Sequence, residues 1–182
     1  MDAPEQPVFY YDLGSPQCYL VAETIMAGLP VVPEWEPVLG REFDHEPLDR
    51  DHIERLAQAL NLQPIRWPTG WPGDSERAML AATYAKRIGR AVAFSLAAFR
   101  QTFAGGRDLA DENTILIAGA ACEMHPTALG KGIELASTRT ALQTATRRAQ
   151  DCGATILPAI QVADTVHAGL QAIHDATMAF ER

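Results

Sequence analysis

The chain lacks the features that mark several large classes of protein. It holds three cysteines, Cys18, Cys122 and Cys152, an odd set with no pair at Cys-x-x-Cys spacing. That argues against a disulfide framework and fits a reducing compartment. The five histidines, His45, His52, His125, His167 and His174, show no ligand spacing with the cysteines, so no metal site is expected. His45 and His52 have a separation that can place two residues on one helix face, and a solvated face is the expectation for them.

Positive charge is also scarce. Lysine and arginine total 15 against 23 aspartates and glutamates, a formal net charge of −8. The averaged field repels phosphate backbones and anionic lipid, which argues against nucleic-acid and membrane partners. No apolar run approaches the roughly 20 residues that cross a bilayer. Met1 to Gln6 carries neither the basic nor the apolar part of a signal peptide, and the expected location is cytoplasmic.

What remains is an ordinary globular composition: 182 residues, 47% apolar and 21% charged. That suits one domain with a full core. Val8 to Leu13, VFYYDL, is a β-rich run closed by Gly14 and reads as a buried strand. Ser15 is a good helix cap and Pro16 suits the first helical position, so a helix is expected up to Gly28–Pro30. Val31 to Val38 reads as an irregular or edge strand because it contains Pro33 and Pro37.

From about Asp44 to Asp151 the apolar spacing is helical. A segment over Asp51–Leu60 precedes a loop, Asn61–Gly73, rich in proline and tryptophan. Asp74 or Ser75 caps a helix to about Ile88, another covers Arg90–Ala104, and Asp108 or Asp111 opens the next. A last helix is expected over Ile133–Cys152. Thr155 to Val162, TILPAIQV, is β-branched with an interior proline that suits an edge, a bulge or a cis bond at a strand start. A short strand near Thr165–His167 and a helix over Gly169–Phe180 complete a β-β-α ending.

This order, with a Ser-Pro-Gln-Cys turn at the first helix and a late strand led by Leu157-Pro158, resembles the DsbA-like thioredoxin fold. The stretch FYYDLGSPQCYL, Phe9 to Leu20, is similar to the opening of one branch, that of 2-hydroxychromene-2-carboxylate isomerase and kappa-class glutathione transferase. A second matching stretch is FRQTFAGGRDLAD, Phe99 to Asp111. The similarity runs from about residue 7 to 176. It implies a thioredoxin-like α/β fold, β-α-β then β-β-α, as a single domain over 1–182 with a large all-helical insertion at about 44–152.

The resemblance also implies site residues. Ser15 stands where dithiol relatives carry the attacking cysteine and where the isomerase and kappa enzymes carry a serine beside the thiol of glutathione. Cys18 takes the second, resolving position. Leu157, ahead of a cis Pro158, is the place where relatives pair their backbone with the glutathione peptide. Asp12 and the loop with Trp71, Asp74 and Ser75 fall where relatives line a substrate cleft. The final helix departs from the pattern. Relatives use an acidic residue there to hold the γ-glutamyl amine, and this chain has Gly169-Leu170-Gln171-Ala172, where Gln171 accepts a hydrogen bond but carries no charge. A charge-assisted contact of about 1.5–3 kcal/mol is absent.

The chemistry follows from the helix terminus. Its free N–H groups and partial positive charge stabilise an anion. A serine is too weak an acid to ionise there, yet its hydroxyl can donate to a thiolate. The expected function is a glutathione-dependent, or related-thiol-dependent, isomerase or transferase acting on a small hydrophobic or aromatic electrophile.

Blander readings stand beside this one. Ser15-Pro16 also makes a plain helix cap, Cys18, Cys122 and Cys152 are also packing residues, and Trp67 and Trp71 also serve as loop packing. Two other functions remain open at this point. A thiol-disulfide oxidoreductase would need a reactive Cys18. A non-catalytic binding protein that keeps the fold would have the cleft beside Ser15 and Pro158 filled by side chains. Pairing as a homodimer is a further possibility carried by the resemblance.

Overall fold

The structure, a computed structural model, describes residues 6–180. Of the opening segment read for a leader, only Gln6 falls within them. In chain order the elements are β1 (Val8–Tyr11), α1 (Pro16–Gly28), β2 (Glu34–Pro37), α2 (Arg50–Ala59), α3 (Glu76–Arg87), α4 (Ala91–Phe99), α5 (Glu112–Ala121), α6 (Pro126–Glu134), α7 (Ala136–Asp151), β3 (Ala159–Val162), β4 (Thr165–Ala168) and α8 (Ala172–Phe180). The sheet runs β2-β1-β3-β4. β2 is parallel to β1, while β3 lies antiparallel to both β1 and β4.

Strand β1 is apolar throughout because both faces of the sheet are covered. Phe9 and Tyr11 project to one side and pack with Tyr19, Trp35, Phe99 and the rest of the larger core. Tyr10 projects to the other, where Val38, Ala145, Ala149 and Ala159 form a smaller cluster under α7. Strand alternation therefore distributes three consecutive aromatics over two cores. Tyr11 is fully buried, and its hydroxyl meets Ser95 Oγ at 2.6 Å, which satisfies both groups. Glu36 of β2 is also buried, held by Lys86 Nζ at 2.5 Å and by Arg148 of α7. These pairs fasten two helices to the edge strand.

Several expectations from sequence are met with shifted boundaries. α1 starts at Pro16, and Ser15 caps it by accepting the Cys18 N–H at 3.1 Å. The Leu157–Pro158 peptide is cis, and so is Trp71–Pro72. The strand expected over Thr155–Val162 forms its ladder only from Ala159 onward, with one isolated parallel bridge before it between Ile156 and Asp44, because Pro158 has no N–H to give to a ladder.

Others are corrected. The helix expected over Ile133–Cys152 is two helices, since Leu135 is extended (φ −65°, ψ 129°) between α6 and α7. His125 and Pro126 start α6 well before Ile133: the His125 ring accepts the Thr127 N–H, and proline takes the first position. Arg90–Ala104 is not uniform either. α4 passes at Arg100–Ala104 into a π turn, where the Thr102 hydroxyl donates back to Ala98 O at 2.9 Å. His45 and His52 share no helix face, because α2 begins at Arg50 and His45 precedes it in a loop.

Among the described residues no helix is long and apolar enough to cross a membrane. Helices α3 and α6 approach so closely that a Cβ on Gly132 would lie 2.3 Å from Cγ of Tyr84. That atom is the root of a ring and cannot swing away. Gly132→Ala is expected to destabilise the protein by about 1–3 kcal/mol despite the helix propensity of alanine, as measured by chemical denaturation. An unchanged or raised midpoint would show that the two helices have slack.

Candidate active site at the first helix

The site is built around Asp12, the residue that follows β1. Its side chain is 4% exposed, and both oxygens are engaged. Oδ1 accepts Gly14 N–H at 2.7 Å; Oδ2 accepts Gly40 N–H at 2.7 Å and the Ser75 hydroxyl at 3.0 Å. Burial pushes the carboxyl pKa up, and the three donors pull the other way without cancelling it. One side chain therefore joins the turn into α1, the turn after β2 and the residue ahead of α3. Gly40 is required at its position, since a Cβ there would lie 2.9 Å from Asp12 Cβ, Cγ and Oδ2.

Around this junction lies an open cavity of about 520 Å³. The turn into α1 supplies Gly14, Ser15 and Gln17 on one side. Trp71, Asp74 and Ser75 supply a second wall, and Leu157 a third. The remaining wall is the segment between β2 and α2, where Phe43 and Leu48 are apolar and Arg41, Asp44, His45 and Glu46 are polar. From sequence, this segment offers only His45, considered there with His52, and no sign that it borders a cavity. The one local feature around it is the charged run Asp44-His45-Glu46 between two apolar residues.

The donors at the helix terminus are partly spent. The Ser15 side chain accepts from Cys18 N–H and donates to Gln17 Oε1 at a long 3.2 Å. Gln17 N–H, in the first turn, has no partner among the described residues. Pro16 has no N–H to offer. The Leu157 C=O likewise forms no hydrogen bond among the described residues, its N–H is turned towards Asp44 by the parallel bridge between Asp44 and Ile156, and Pro158 O accepts Gly169 N–H at 2.8 Å.

The tryptophan wall is held in place. Trp71 Nε1 donates to Gly14 O at 3.1 Å, and the Arg50 guanidinium sits 5.2 Å from the Trp71 ring and 4.8 Å from that of Trp67. Arg50 also donates to Trp71 O at 3.3 Å, and Trp67 Nε1 donates to Glu54 at 2.6 Å.

The residues expected from sequence are therefore not all brought together. Ser15, Asp12, Trp71, Asp74, Ser75 and Leu157 line one cavity. Pro158 is buried behind Leu157 and does not line it, and Gln171 is exposed outside it. Cys18 is fully buried one turn below Ser15, also outside the cavity, and burial pushes its thiol up to about 12. All three cysteines are free, with Cys152 the one that is part-exposed. Among the described residues no group of three or more His, Cys, Asp and Glu side chains is placed to hold a metal.

A four-stranded sheet with a parallel edge, a helix capped by Ser-Pro directly after β1, and a cis-proline leading β3 define a thioredoxin-type fold, and the cavity at the N-terminus of that helix is its candidate site. The chain belongs to the DsbA-like thioredoxin domain family, whose model matches residues 8–180. Among solved structures it is similar to 2-hydroxychromene-2-carboxylate isomerase, at 17% identity over 97% of this chain and 94% of that one, with a TM-score of 0.82. It is also similar to the cytosolic disulfide reductase DsbM from Pseudomonas aeruginosa with GSH (18% identity, 97% of each chain, TM-score 0.69). The oxidoreductase DsbA from Xylella fastidiosa is a third (12% identity, 96% of this chain and 83% of that one, TM-score 0.64). Comparison with curated proteins finds no match.

Two outcomes test this geometry. Gly40→Ala forces a methyl group against a carboxylate fixed by three donors, so a loss of about 1–3 kcal/mol is expected in denaturant unfolding, and wild-type stability would mean that Asp12 moves freely. Cys18 should stay unmodified by a thiol reagent at pH 8 while the part-exposed Cys152 reacts, since burial both shields the Cys18 sulfur and holds it as the thiol. Rapid labelling of Cys18 in the folded protein would contradict its burial.

Proposed function

We propose that the protein is an enzyme that uses a low-molecular-weight thiol, glutathione or a relative of it, on a small hydrophobic or aromatic electrophile, in isomerase- or transferase-type chemistry. The observation that carries this reading is that Ser15, the unpartnered Gln17 N–H and the unpartnered Leu157 C=O all border one open cavity. Free donors at a helix terminus favour a bound anion, and a free backbone C=O beside them accepts from the amide of a ligand laid alongside. The Ser15 hydroxyl would turn from its long contact with Gln17 to donate to the thiolate sulfur.

The bound thiolate then forms a carbon–sulfur bond with the electrophile, whose electron-withdrawing group takes the displaced electron pair. In a transferase the sulfur stays on the product and a proton comes from water. In an isomerase the electron pair returns, the carbon–sulfur bond breaks, and the thiolate leaves as it came. Asp12 acts through others in this scheme: it positions the α1 turn and Ser75 and touches no substrate. Trp71, Phe43 and Leu48 give the apolar surface against which an aromatic substrate packs. A cytoplasmic setting belongs to this reading and is supported by three unpaired cysteines.

Two observations weigh against the other functions. A buried Cys18 with a thiol pushed up to about 12 is a poor nucleophile for disulfide exchange. A cavity of about 520 Å³ is not what a fold emptied of function and filled by side chains presents. The reading is tested by titrating a bound thiol through its ultraviolet thiolate absorbance. Ser15→Ala is expected to raise the pKa of that thiol by about 1–2 units, the equivalent of one hydrogen bond to a charged group. An unchanged pKa would remove Ser15 from the mechanism.

A further inference from the structure

A second open groove, of about 480 Å³, lies at the start of β2 against the turn from α3 into α4, and it shares no residue with the cavity at α1. Ala91, Val92 and Ala93, the first three residues of α4, line it, and their N–H groups have no partner among the described residues. The capping residue, Arg90, makes no side-chain capping bond. Free donors and a partial positive charge at a helix start favour an anion. The negative end of α3 lies beside them, but its last carbonyls are already taken: Lys86 O accepts Gly89 N–H at 3.1 Å and Ala85 O accepts Arg90 N–H at 2.7 Å.

The floor of the groove adds an independent observation. Trp35 lines it, is 2% exposed, and its indole Nε1 has no hydrogen-bond partner among the described residues. The other two indoles are both engaged, Trp67 with Glu54 and Trp71 with Gly14 O. Phe9 and Tyr11 pack on the Trp35 ring from the core, with centroids 5.1 and 5.5 Å away, and the Tyr11 hydroxyl is committed to Ser95. A buried N–H without an acceptor is costly, and a ligand oxygen would satisfy it. Two cations stand at the rim. Lys86 is spent on Glu34 and Glu36. Arg90 is not, since its partner Glu123 is 3.8 Å away with a side chain 86% exposed, a pair that holds it weakly.

We propose that this groove binds a small carboxylate with an apolar body. One oxygen is taken by the α4 N–H groups and Arg90, the other by Trp35 Nε1 from the floor, and the body lies against Val92 and the indole. One available cation, with Glu34 close by, suits a monoanion better than a doubly charged phosphate. The site is separate from the thiol chemistry proposed at α1 and does not depend on it.

The probe is benzoate, with benzylammonium and benzamide as controls, followed through the indole N–H signals of nitrogen-15-labelled protein. The three tryptophans give three signals. That of Trp35 is identified by its loss in Trp35→Phe or, should that core change unfold the chain, by its nuclear Overhauser contacts with Phe9 and Tyr11. Benzoate is expected to shift the Trp35 signal saturably, with both controls binding at least about tenfold more weakly. Arg90→Gln, an exposed change whose folding circular dichroism checks, is expected to weaken benzoate about tenfold at this signal. Trp71 lines the other cavity and reports any binding there. If both signals move, Arg90→Gln should weaken only the Trp35 response. The proposal is overturned if benzoate moves Trp71 alone or no indole signal, if benzylammonium matches benzoate at Trp35, or if Arg90→Gln leaves the Trp35 response unchanged.

Discussion

The buried carboxylate of Asp12 is the constraint on which the site depends. It ends the central strand, and its two oxygens bind backbone or side chain from three separate parts of the chain: Gly14, Gly40 and Ser75. Desolvating a charge is costly unless donors surround it, and here three do. The result is that the start of α1, the turn after β2 and the start of α3 cannot drift apart. A helix terminus binds an anion only if its donors stay aimed at one place. Asp12 supplies that fixity without entering the cavity as a reacting group.

The helical block between β2 and β3 closes the other walls. Its tryptophan loop is pinned to the turn at Gly14 by one indole hydrogen bond and to α2 by Arg50, so a loop rich in proline becomes a firm surface. The sheet beneath is equally settled, with aromatics of β1 sent to both faces and Glu36 drawing in Lys86 and Arg148. A rigid frame around an open cavity is what binding with little ordering cost requires.

Much of this was legible in the sequence, for local reasons. Ser15-Pro16 carries its own capping chemistry, the apolar run at Val8 announces a strand buried on both faces, and Leu157-Pro158 excludes a ladder bond at one defined point. What was not legible is what depends on distant partners. Nothing local tells that Asp12 faces Gly40 and Ser75, that Leu135 breaks a helix between two good helical segments, or that Asp44-His45-Glu46 borders the same cavity as Ser15. The expectation for Gln171 came from a pattern at the start of the last helix, and the structure leaves that side chain in solvent. Periodicity reports which face is buried and is silent on which loops meet.

The central claim is that this cavity holds a small thiol with its sulfur at the α1 terminus. The most direct measurement is a crystal structure of the protein with such a thiol bound. The account predicts the sulfur within hydrogen-bonding reach of the Ser15 hydroxyl and Gln17 N–H, with the ligand backbone alongside Leu157. A thiol bound elsewhere on the surface, or joined to Cys18 as a mixed disulfide, would contradict it.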